Sequence, residues 1–359
     1  MKHMKKVAVI GTVGVPANYG GFESLVENII GENKSSNVNY TVFCSSKDLP
    51  QQREEYKGAK LKYIPLSANG VQSIPYDMLS LLKVPKETDV ILVLGVSGSL
   101  ILPFFRLFSQ KKLVVNIDGL EHRRDKWGKA ARWYLKLSEK MAVKYADVII
   151  ADNKGIQDYV KEEYDKDSVL IAYGGDHVIR NIDPTFEKNT LEKFSLTPND
   201  YAITVCRIEP ENNCHNTLEA FSKTDKKLIF IGNWGRSEYG RELKERYSKF
   251  SNIIIQDPIY DIDTLYALRK NAGMYIHGHS AGGTNPSLVE AMFFGCPILC
   301  YDVVYNRAST QDKAYYWSDV DELVQLLKRD DLSGDIMKTI AQERYTWKVI
   351  TSQYEALYE

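Results

Sequence analysis

The sequence predicts an α/β protein of two domains, each built around a parallel β-sheet with helices on both faces. Its 359 residues are too many for one comfortable hydrophobic core and fit two domains. Short apolar runs alternate along the chain with helical patterns, which is typical of βαβ units. These runs contain few polar residues, as expected of strands that are covered on both faces.

The apolar runs form two series with a polar segment between them. The first predicts strands at 7–10, 40–44, 61–64, 90–94, 113–117, 148–151 and 169–172. The second predicts strands at 202–206, 228–231, 253–255, 274–277 and 298–301. Because the segment between the series contains Pro184 and Pro198, we predict domains at 1–182 and 201–342, joined by a linker at 183–200.

The last segment, 343–359, predicts a terminal helix. Its large apolar residues recur at helical spacing, which gives the helix one face to bury. They are Tyr345, Trp347, Ile350, Tyr354 and Leu357.

Composition argues against several classes of protein. The 46 lysines and arginines balance 47 aspartates and glutamates, whereas a dedicated nucleic-acid binder normally carries a strong basic excess. The five cysteines have neither zinc-ligand nor thioredoxin spacing, which indicates buried residues in a reducing compartment. Since we find no secretory leader and no apolar run of spanning length, we expect a cytoplasmic protein.

A glycine-rich turn at the start of a helix predicts an anion site. Asn285 suits the N-cap of that helix, and Pro286 suits its first position. Free amides next to the positive end of a helix favour phosphate. The residues that leave their amides open are Gly282, Gly283 and Thr284.

One turn further along, Glu290 places a carboxylate where a ribose diol could bind. A diphosphate attached to a ribose has this layout. The alternative is an ordinary capped turn followed by a surface glutamate.

Three separated motifs carry a family resemblance. Residues 285–292 with 295–297 closely resemble the donor-binding signature of retaining family-four glycosyltransferases of the GT-B fold. Residues 11–23 and 207–213 resemble the bacterial subgroup that includes rhamnosyltransferases of polysaccharide assembly. The resemblance implies two Rossmann-like domains facing across a cleft, with the C-terminal helix returning to the first domain.

The N-terminal glycine loop does not fit a dehydrogenase. Its glycines are not spaced as G-x-G-x-x-G, and the loop is too long for a dinucleotide turn. The resemblance implies that Gly20 and Gly21 face the donor phosphate and the acceptor. Glu23 lies in the first helical turn, where the alternative is simply a favourable N-terminal charge.

A polar cluster follows the predicted strand 113–117, where substrate contacts of α/β proteins belong. Asp118 is predicted to orient an acceptor hydroxyl and assist its deprotonation, and Glu121 to bind sugar hydroxyls. His122 completes the cluster. The alternative is an Asp-Gly turn with solvated charges.

Arg207 directly follows the strand 202–206 and is predicted to stabilise the charge on a departing diphosphate. The family usually adds a lysine a few residues later, but this chain has none there; Asn212 or Asn213 is expected to donate instead. The alternative for Arg207 is a salt bridge to Glu209 or Glu211.

The donor is expected to be a dTDP- or UDP-linked sugar, without a further cofactor. The wider family has a glutamate where this chain has Gly282. Losing that carboxylate is compatible with a less hydroxylated sugar, such as a 6-deoxyhexose. By family position, residues 257–260 contribute to the base pocket.

Two Asp-x-Asp pairs, at 261–263 and 319–321, are interpreted as helix N-caps rather than metal sites. His277 and His279 lack a third ligand, so donor contact or core packing is favoured over zinc. The sequence therefore predicts a metal-independent enzyme.

A basic stripe on the helical segment 123–144 and the apolar segment 100–108 suit contact with an anionic membrane surface. The alternative is a solvated face above ordinary core contacts. Membrane contact would place the enzyme at the inner face of the plasma membrane, beside a lipid-linked saccharide acceptor.

The sequence therefore predicts a glycosyltransferase that moves a sugar from a nucleoside diphosphate to a saccharide in polysaccharide assembly. Two alternatives remain open. One is a sugar-nucleotide epimerase or hydrolase with the same fold, and the other is a non-catalytic saccharide-binding subunit.

Overall fold

The computed structural model describes residues 4–17, 20–33, 38–117, 119–123 and 127–359. Its strands are β1 Lys5–Ile10, β2 Val38–Ser45, β3 Glu55–Tyr56, β4 Ala59–Ile64, β5 Val90–Leu94, β6 Lys112–Asn116, β7 Val148–Ala151, β8 Val169–Leu170, β9 Tyr201–Val205, β10 Lys227–Ile231, β11 Ile253–Gln256, β12 Met274–His277, β13 Ile298–Tyr301 and β14 Tyr315–Trp317.

Its helices are α1 Gly21–Glu32, α2 Ser73–Leu82, α3 Leu102–Phe108, α4 Lys129–Tyr145, α5 Lys154–Tyr164, α6 Pro184–Lys193, α7 Cys214–Ser222, α8 Glu238–Tyr247, α9 Ile262–Lys270, α10 Pro286–Met292, α11 Val304–Thr310, α12 Val320–Leu327, α13 Asp335–Arg344 and α14 Trp347–Ala356.

The chain forms two compact units. Unit 1 comprises residues 1–173 and 347–359, and unit 2 comprises residues 174–346. The segment 183–200, for which the sequence predicts a linker, lies within unit 2 and contains α6. Asp183 caps this helix by accepting from the amides of Thr185 and Phe186.

Unit 1 has a sheet in the order β3-β4-β2-β1-β5-β6-β7-β8. Neighbouring strands are parallel except at the short β3–β4 hairpin. The central strands are apolar and fully buried, as predicted for a sheet covered on both faces. This arrangement brings the ends of β1 and β6, where the predicted site residues follow, to the same edge of the sheet.

The C-terminal helix α14 belongs to the core of unit 1. Trp347, Ile350, Tyr354 and Tyr358 are buried together with residues of β1, β2 and α1. The Tyr354 hydroxyl also lies 2.9 Å from the amide nitrogen of Asn116, at the end of β6. The return of this helix to the first domain is therefore confirmed.

The predicted continuous helix at 343–359 is interrupted between Arg344 and Trp347. α13 ends at Arg344, and the Tyr345 hydroxyl donates to the Ser309 carbonyl at 2.8 Å. The amide of Gly175 donates to the Tyr345 carbonyl at 2.8 Å. Because both partners lie in unit 2, Tyr345 is fixed there and the helical path is interrupted before α14.

Unit 2 has a parallel sheet in the order β11-β10-β9-β12-β13-β14. Strands β10 and β11 are added on one side of β9, and β12, β13 and β14 are added on the other side, so the strand order reverses between β9 and β12. In open α/β sheets, ligands bind beyond the carboxyl ends of strands at such a switch point. The Arg207 segment follows β9 and the glycine-rich turn follows β12, so both predicted motifs lie there.

Asp77 on α2 gives unit 1 an expected pH dependence. Its side chain is 5% exposed, and burial raises the pKa of the carboxyl to about 8 against the opposing effect of the Gly98 amide. Since the unfolded chain ionises near 3.8, the stability contribution of this group is complete below that pH and is lost as pH rises to about 8. We expect Asp77→Asn to remove a slope of about 1.4 kcal/mol per pH unit from the free energy of unfolding.

Urea unfolding between pH 5 and 8 measures this slope. Glu87→Gln, at an exposed position of the same unit, is the matched control and should keep the wild-type slope. An unchanged slope in Asp77→Asn would contradict the assignment.

Candidate functional site

In unit 1, the glycine-containing segment that follows β1 is hydrogen-bonded to Glu23 on α1. One oxygen of this carboxylate accepts from the Thr12 hydroxyl and the Val13 amide, each at 2.8 Å. Glu23 is 9% exposed, so it does more than add a charge at the start of α1. Its carboxylate holds Thr12 and Val13, which follow β1, against the first turn of α1.

Gly20 and Gly21 have different structural requirements. Gly20 has φ of 130°, and a Cβ there would collide with the Glu23 carboxylate. A Cβ at Gly21 would meet only the Tyr173 ring at an ordinary contact distance of 3.6 Å. Gly20 is therefore required by the loop itself, whereas the space beside Gly21 could hold a Cβ.

The polar cluster after β6 is built on a buried carboxylate that sequence reasoning missed. Glu139 on α4 is 3% exposed and accepts from the hydroxyls of Tyr159 and Tyr164, each at 2.6 Å. His122 Nδ1 lies 3.0 Å from its other oxygen. Burial acts to raise the pKa of Glu139, but these hydrogen bonds outweigh it and the pKa is lowered.

Glu121 lies in the short turn before α4, where its carboxylate accepts from the Trp127 indole at 3.0 Å. The prediction that Asp118 orients an acceptor falls outside the described residues. In the described part of the cluster, Trp127 therefore positions Glu121, and Glu139 on α4 positions His122.

In unit 2, the start of α10 has the predicted cap. Asn285 Oδ1 accepts from the Ser287 amide at 3.0 Å, and Pro286 occupies the first helical position. Gly282 has φ of 92°, a conformation that favours glycine. Gly282 and Gly283 are half-buried, and Thr284 is buried. We call residues 278–285 the glycine loop.

Glu290 on α10 is held by two groups that were not predicted. Its Oε2 lies 2.7 Å from Arg269 Nη2, and its Oε1 lies 3.4 Å from His177 Nε2. Burial acts to raise the pKa of Glu290, but Arg269 and His177 outweigh it and the pKa falls below 4.5. An ionised carboxylate can accept about four hydrogen bonds, so these two partners leave capacity for a diol.

The segment after β9, residues 206–213, is named the arginine loop. The Arg207 guanidinium lies 3.8 Å from Glu209 and 3.7 Å from Glu211, and its side chain is 36% exposed. These separations exceed hydrogen-bond length, and exposed pairs of this kind contribute little. The predicted salt-bridge alternative is thus present, but it leaves the guanidinium free to turn toward a ligand.

The arginine loop and the glycine loop are hydrogen-bonded to each other. Asn213 donates to the Gly278 carbonyl at 2.9 Å. The Glu211 carbonyl accepts from the Ser280 amide at 2.9 Å and from the Ser280 hydroxyl at 2.8 Å. His279 Nδ1 lies 2.5 Å from Asn212 Oδ1. Four contacts therefore join the two loops into one structural piece.

Asn212 and Asn213 are predicted donors to the diphosphate, but their side-chain amides already donate hydrogen bonds within the protein. Asn212 Nδ2 donates to the Arg207 carbonyl at 2.7 Å, and Asn213 adopts φ of 49° as it leads into α7. Both residues are buried. The structure thus gives each of them a role in shaping the arginine loop.

The remaining histidine and aspartate predictions can be placed on the structure. His277 is 3% exposed, and burial lowers its pKa well below its ordinary value, which keeps it neutral. Asp261 and Asp319 accept from the amides of Thr264 and Glu322, so their predicted role as N-caps is confirmed. Among the described residues, no cluster of three acidic, histidine or cysteine side chains could hold a metal.

The proposed base-pocket residues lie at the surface of unit 2. Asp257 pairs with Lys244 at 3.3 Å, and the Tyr260 side chain is 80% exposed. An exposed aromatic ring at this position is free to stack on a nucleobase.

Helices α3 and α4 of unit 1 present apolar side chains to solvent. Phe104, Leu107 and Phe108 on α3 and Trp133 on α4 are 66%, 73%, 90% and 69% exposed. Arg106 ties the two helices together by donating to the Tyr145 carbonyl at 3.0 Å. None of the helices in the described ranges has the length and apolarity needed to cross a membrane.

Two family models match the chain. Residues 4–176 match a domain of unknown function, DUF1972, and residues 187–324 match glycosyl transferases group 1. The uncharacterized glycosyltransferase MJ1069 of Methanocaldococcus jannaschii is 24% identical over 290 residues, which cover 71% of this chain and 70% of that protein.

Solved structures share the fold over nearly the whole chain. The sucrose-phosphate synthase of Thermosynechococcus elongatus has a TM-score of 0.81 at 15% identity, covering 99% of this chain and 98% of its own. Anabaena HepE in complex with UDP-glucose has a TM-score of 0.73 at 14% identity, covering 99% of each chain. Two Rossmann-like units and these likenesses show the GT-B fold.

Proposed function

We propose that this protein is a glycosyltransferase that moves a sugar from a nucleoside diphosphate to a saccharide acceptor. The observation that carries the proposal is the hydrogen-bonded pair of loops in unit 2. It joins residues 211–213 to residues 278–280, at the carboxyl ends of β9 and β12. Asn212 in the first segment also holds the Arg207 carbonyl, and the second segment leads into Gly282 and Gly283. The group 1 family match over the same residues supports it.

In this mechanism, the protein stabilises the departing diphosphate. The Arg207 guanidinium turns from Glu209 and Glu211 onto the phosphate oxygens, where it can donate two parallel hydrogen bonds. The amides of Gly282 and Gly283 donate to the same group. Both sets of donors meet charge that grows as the glycosidic bond breaks, so they lower the barrier more than they tighten ground-state binding.

Glu290 accepts hydrogen bonds from the ribose hydroxyls. The Arg269 guanidinium fixes the carboxylate from one side, which aims its remaining lone pairs without help from the ligand. His177 lies beside the other carboxylate oxygen, and its side chain is 33% exposed. When the ribose binds, His177 either moves away from this oxygen or shares it with a ribose hydroxyl. The solved HepE complexes contain UDP and UDP-glucose, so a nucleoside diphosphate suits this fold.

The transferred sugar is a 6-deoxyhexose such as rhamnose, and its anomeric configuration is retained. Gly282 supports this choice, because it supplies no carboxylate for the hydroxyls of a glucose-type donor. Competition between donors tests it: tighter binding of UDP-glucose than of dTDP-rhamnose would refute the proposal. The proton NMR spectrum of the product gives its anomeric configuration.

The acceptor is a saccharide, carried by a lipid, that binds unit 1 beside Gly20, Gly21, Asp118 and Glu121. The four exposed apolar side chains of α3 and α4 support a position on the inner face of the plasma membrane. Lysines on α4 add attraction to anionic lipid.

The membrane proposal predicts that the protein sediments with phosphatidylglycerol vesicles and much less with pure phosphatidylcholine. Phe104→Ser with Phe108→Ser should reduce sedimentation, while leaving transfer to a soluble acceptor unchanged. Equal sedimentation of the variant and the wild type would contradict the proposal.

A thermal-shift panel of nucleoside diphosphates and their sugars identifies the donor, because a ligand that binds only the native state raises the melting temperature. Product analysis with and without an acceptor then separates the alternatives. Epimerised sugar, or free sugar released at catalytic rates, would favour the epimerase or hydrolase. Selective binding without any turnover would favour the saccharide-binding subunit.

A further inference from the structure

We propose that His279 is a positioning residue that aims Arg207 through Asn212. The inference rests on the proposed role of Arg207 at the leaving group. It concerns a residue of the glycine loop, and its side chain acts on the arginine loop.

The direction of each hydrogen bond follows from the Arg207 carbonyl, which can only accept. Asn212 must therefore turn its amide nitrogen to that carbonyl, at 2.7 Å. Its Oδ1 then faces His279 Nδ1 at 2.5 Å, and since this oxygen can only accept, the Nδ1 atom must carry the hydrogen. Asn212 and His279 are 4% and 6% exposed, so water does not easily replace this bond.

The bond chain fixes the main chain of Arg207 and leaves its side chain mobile. The Arg207 carbonyl also accepts from the Glu209 amide at 3.0 Å and from the Cys214 thiol at 3.8 Å, so three donors hold this peptide. Within the described ranges, the contacts of the guanidinium are, in contrast, the two long ones with carboxylates. The guanidinium of Arg207 can therefore rotate toward a ligand while the main chain of Arg207 stays in place.

The His279 side chain can be changed without releasing its own backbone. Asn306 donates to the His279 carbonyl at 2.8 Å. The remaining contacts between the loops, from Asn213 to Gly278 and from Ser280 to Glu211, do not use the imidazole. Substitution at 279 therefore removes the Nδ1 contact with Asn212 and retains these contacts of Asn213 and Ser280.

Three substitutions separate the Nδ1 contact from the rest of the imidazole. His279→Asn keeps an N–H donor at the position of Nδ1, whereas His279→Gln moves the donor outward to the position of Nε2. His279→Leu keeps bulk and has no donor. A displacement of about 1 Å in a catalytic group costs on the order of 10²-fold in rate, so we expect kcat to fall about 10- to 100-fold in the Leu and Gln variants.

The Asn variant should restore kcat to within about threefold of wild type, and the donor KM should change little in all three. In the background of Arg207→Ala, His279→Leu should lower kcat no further, because a residue that acts only through Arg207 has nothing left to aim. Equal activity of the Asn and Gln variants, or an added loss in the Arg207→Ala background, would overturn the proposal.

Amide hydrogen exchange of the donor-free protein tests the contact independently of catalysis. The peptide covering 207–213 should exchange faster in the Leu and Gln variants and at the wild-type rate in the Asn variant. If the wild-type protein transfers no sugar, the proposed function fails while this readout still decides the role of His279. Unchanged exchange in all three variants would show that His279 does not hold the arginine loop.

Discussion

Arg207→Ala is expected to lower kcat for sugar transfer by about 10²- to 10³-fold, with a smaller change in the donor KM. Removing one preorganised donor from a site of developing charge typically has an effect of this size. The chain has no lysine in the segment where the family usually has one, and Asn212 is engaged with Arg207 and His279. The guanidinium is therefore the positive charge that the arginine loop offers the leaving group.

Arg207→Lys should recover part of the rate, because a lysine restores the charge but cannot form two parallel hydrogen bonds. Arg329→Ala is the matched control: Arg329 is an exposed arginine of the same unit, paired with Asp331 at 2.7 Å. Steady-state kinetics with the donor found in the thermal-shift panel measure all three. A kcat for Arg207→Ala within threefold of wild type would remove the leaving-group argument.

Glu290→Ala is expected to weaken both folding and donor binding. Arg269 is 4% exposed, and losing its partner leaves a buried guanidinium without a carboxylate. Breaking a buried pair in this way costs about 3–5 kcal/mol of unfolding free energy. The lower end applies here, because the Glu290 side chain retains 16% exposure. Urea unfolding of the donor-free protein measures the loss.

The double variant Arg269→Leu with Glu290→Leu separates the two effects. Replacing both charges by apolar side chains should return most of the stability, whereas donor affinity should remain low because no carboxylate meets the ribose. Recovery of both properties in the double variant would contradict the ribose contact.

The lowered pKa of Glu290 gives the same pair a pH signature. A depressed folded-state pKa adds stability above the unfolded value of 4.5, and this contribution is lost as pH falls through the folded value. The stability difference between the wild type and Glu290→Ala should therefore narrow below pH 4.5.

The sequence is most informative where one residue type decides a local structure. The apolar runs predicted β5, β7, β12 and β13 with their observed bounds. Asn285 before Pro286 predicted the start of α10 in the same way. Strand β14 was missed because it has only three residues, fewer than the run that normally predicts a strand. Strand β3 was also missed. The Lys57-Gly58 pair could have predicted the turn of the β3–β4 hairpin, because glycine favours the positive φ that both residues adopt there.

The contacts that shape the candidate site could not be predicted from spacing. Arg269 and Glu290 lie on different helices, 21 residues apart, and only the packing of α9 beside α10 brings them together. Glu139 similarly meets His122 and Tyr159 across three elements. Each pairing depends on tertiary geometry that no local pattern encodes, whereas the positions of Arg207 and the glycines follow from strand ends.

The hydrogen bonds between the arginine loop and the glycine loop have a consequence for redesign of this protein. A chimera that imports only residues 278–285 from a relative with another donor would bring in a new neighbour for Asn212 and lose the fit of Ser280 to Glu211. Residues 206–213 and 278–285 form one transplantable module, although more than sixty residues separate them in the chain. Libraries that vary both segments together should retain active members more often than libraries that vary either one alone.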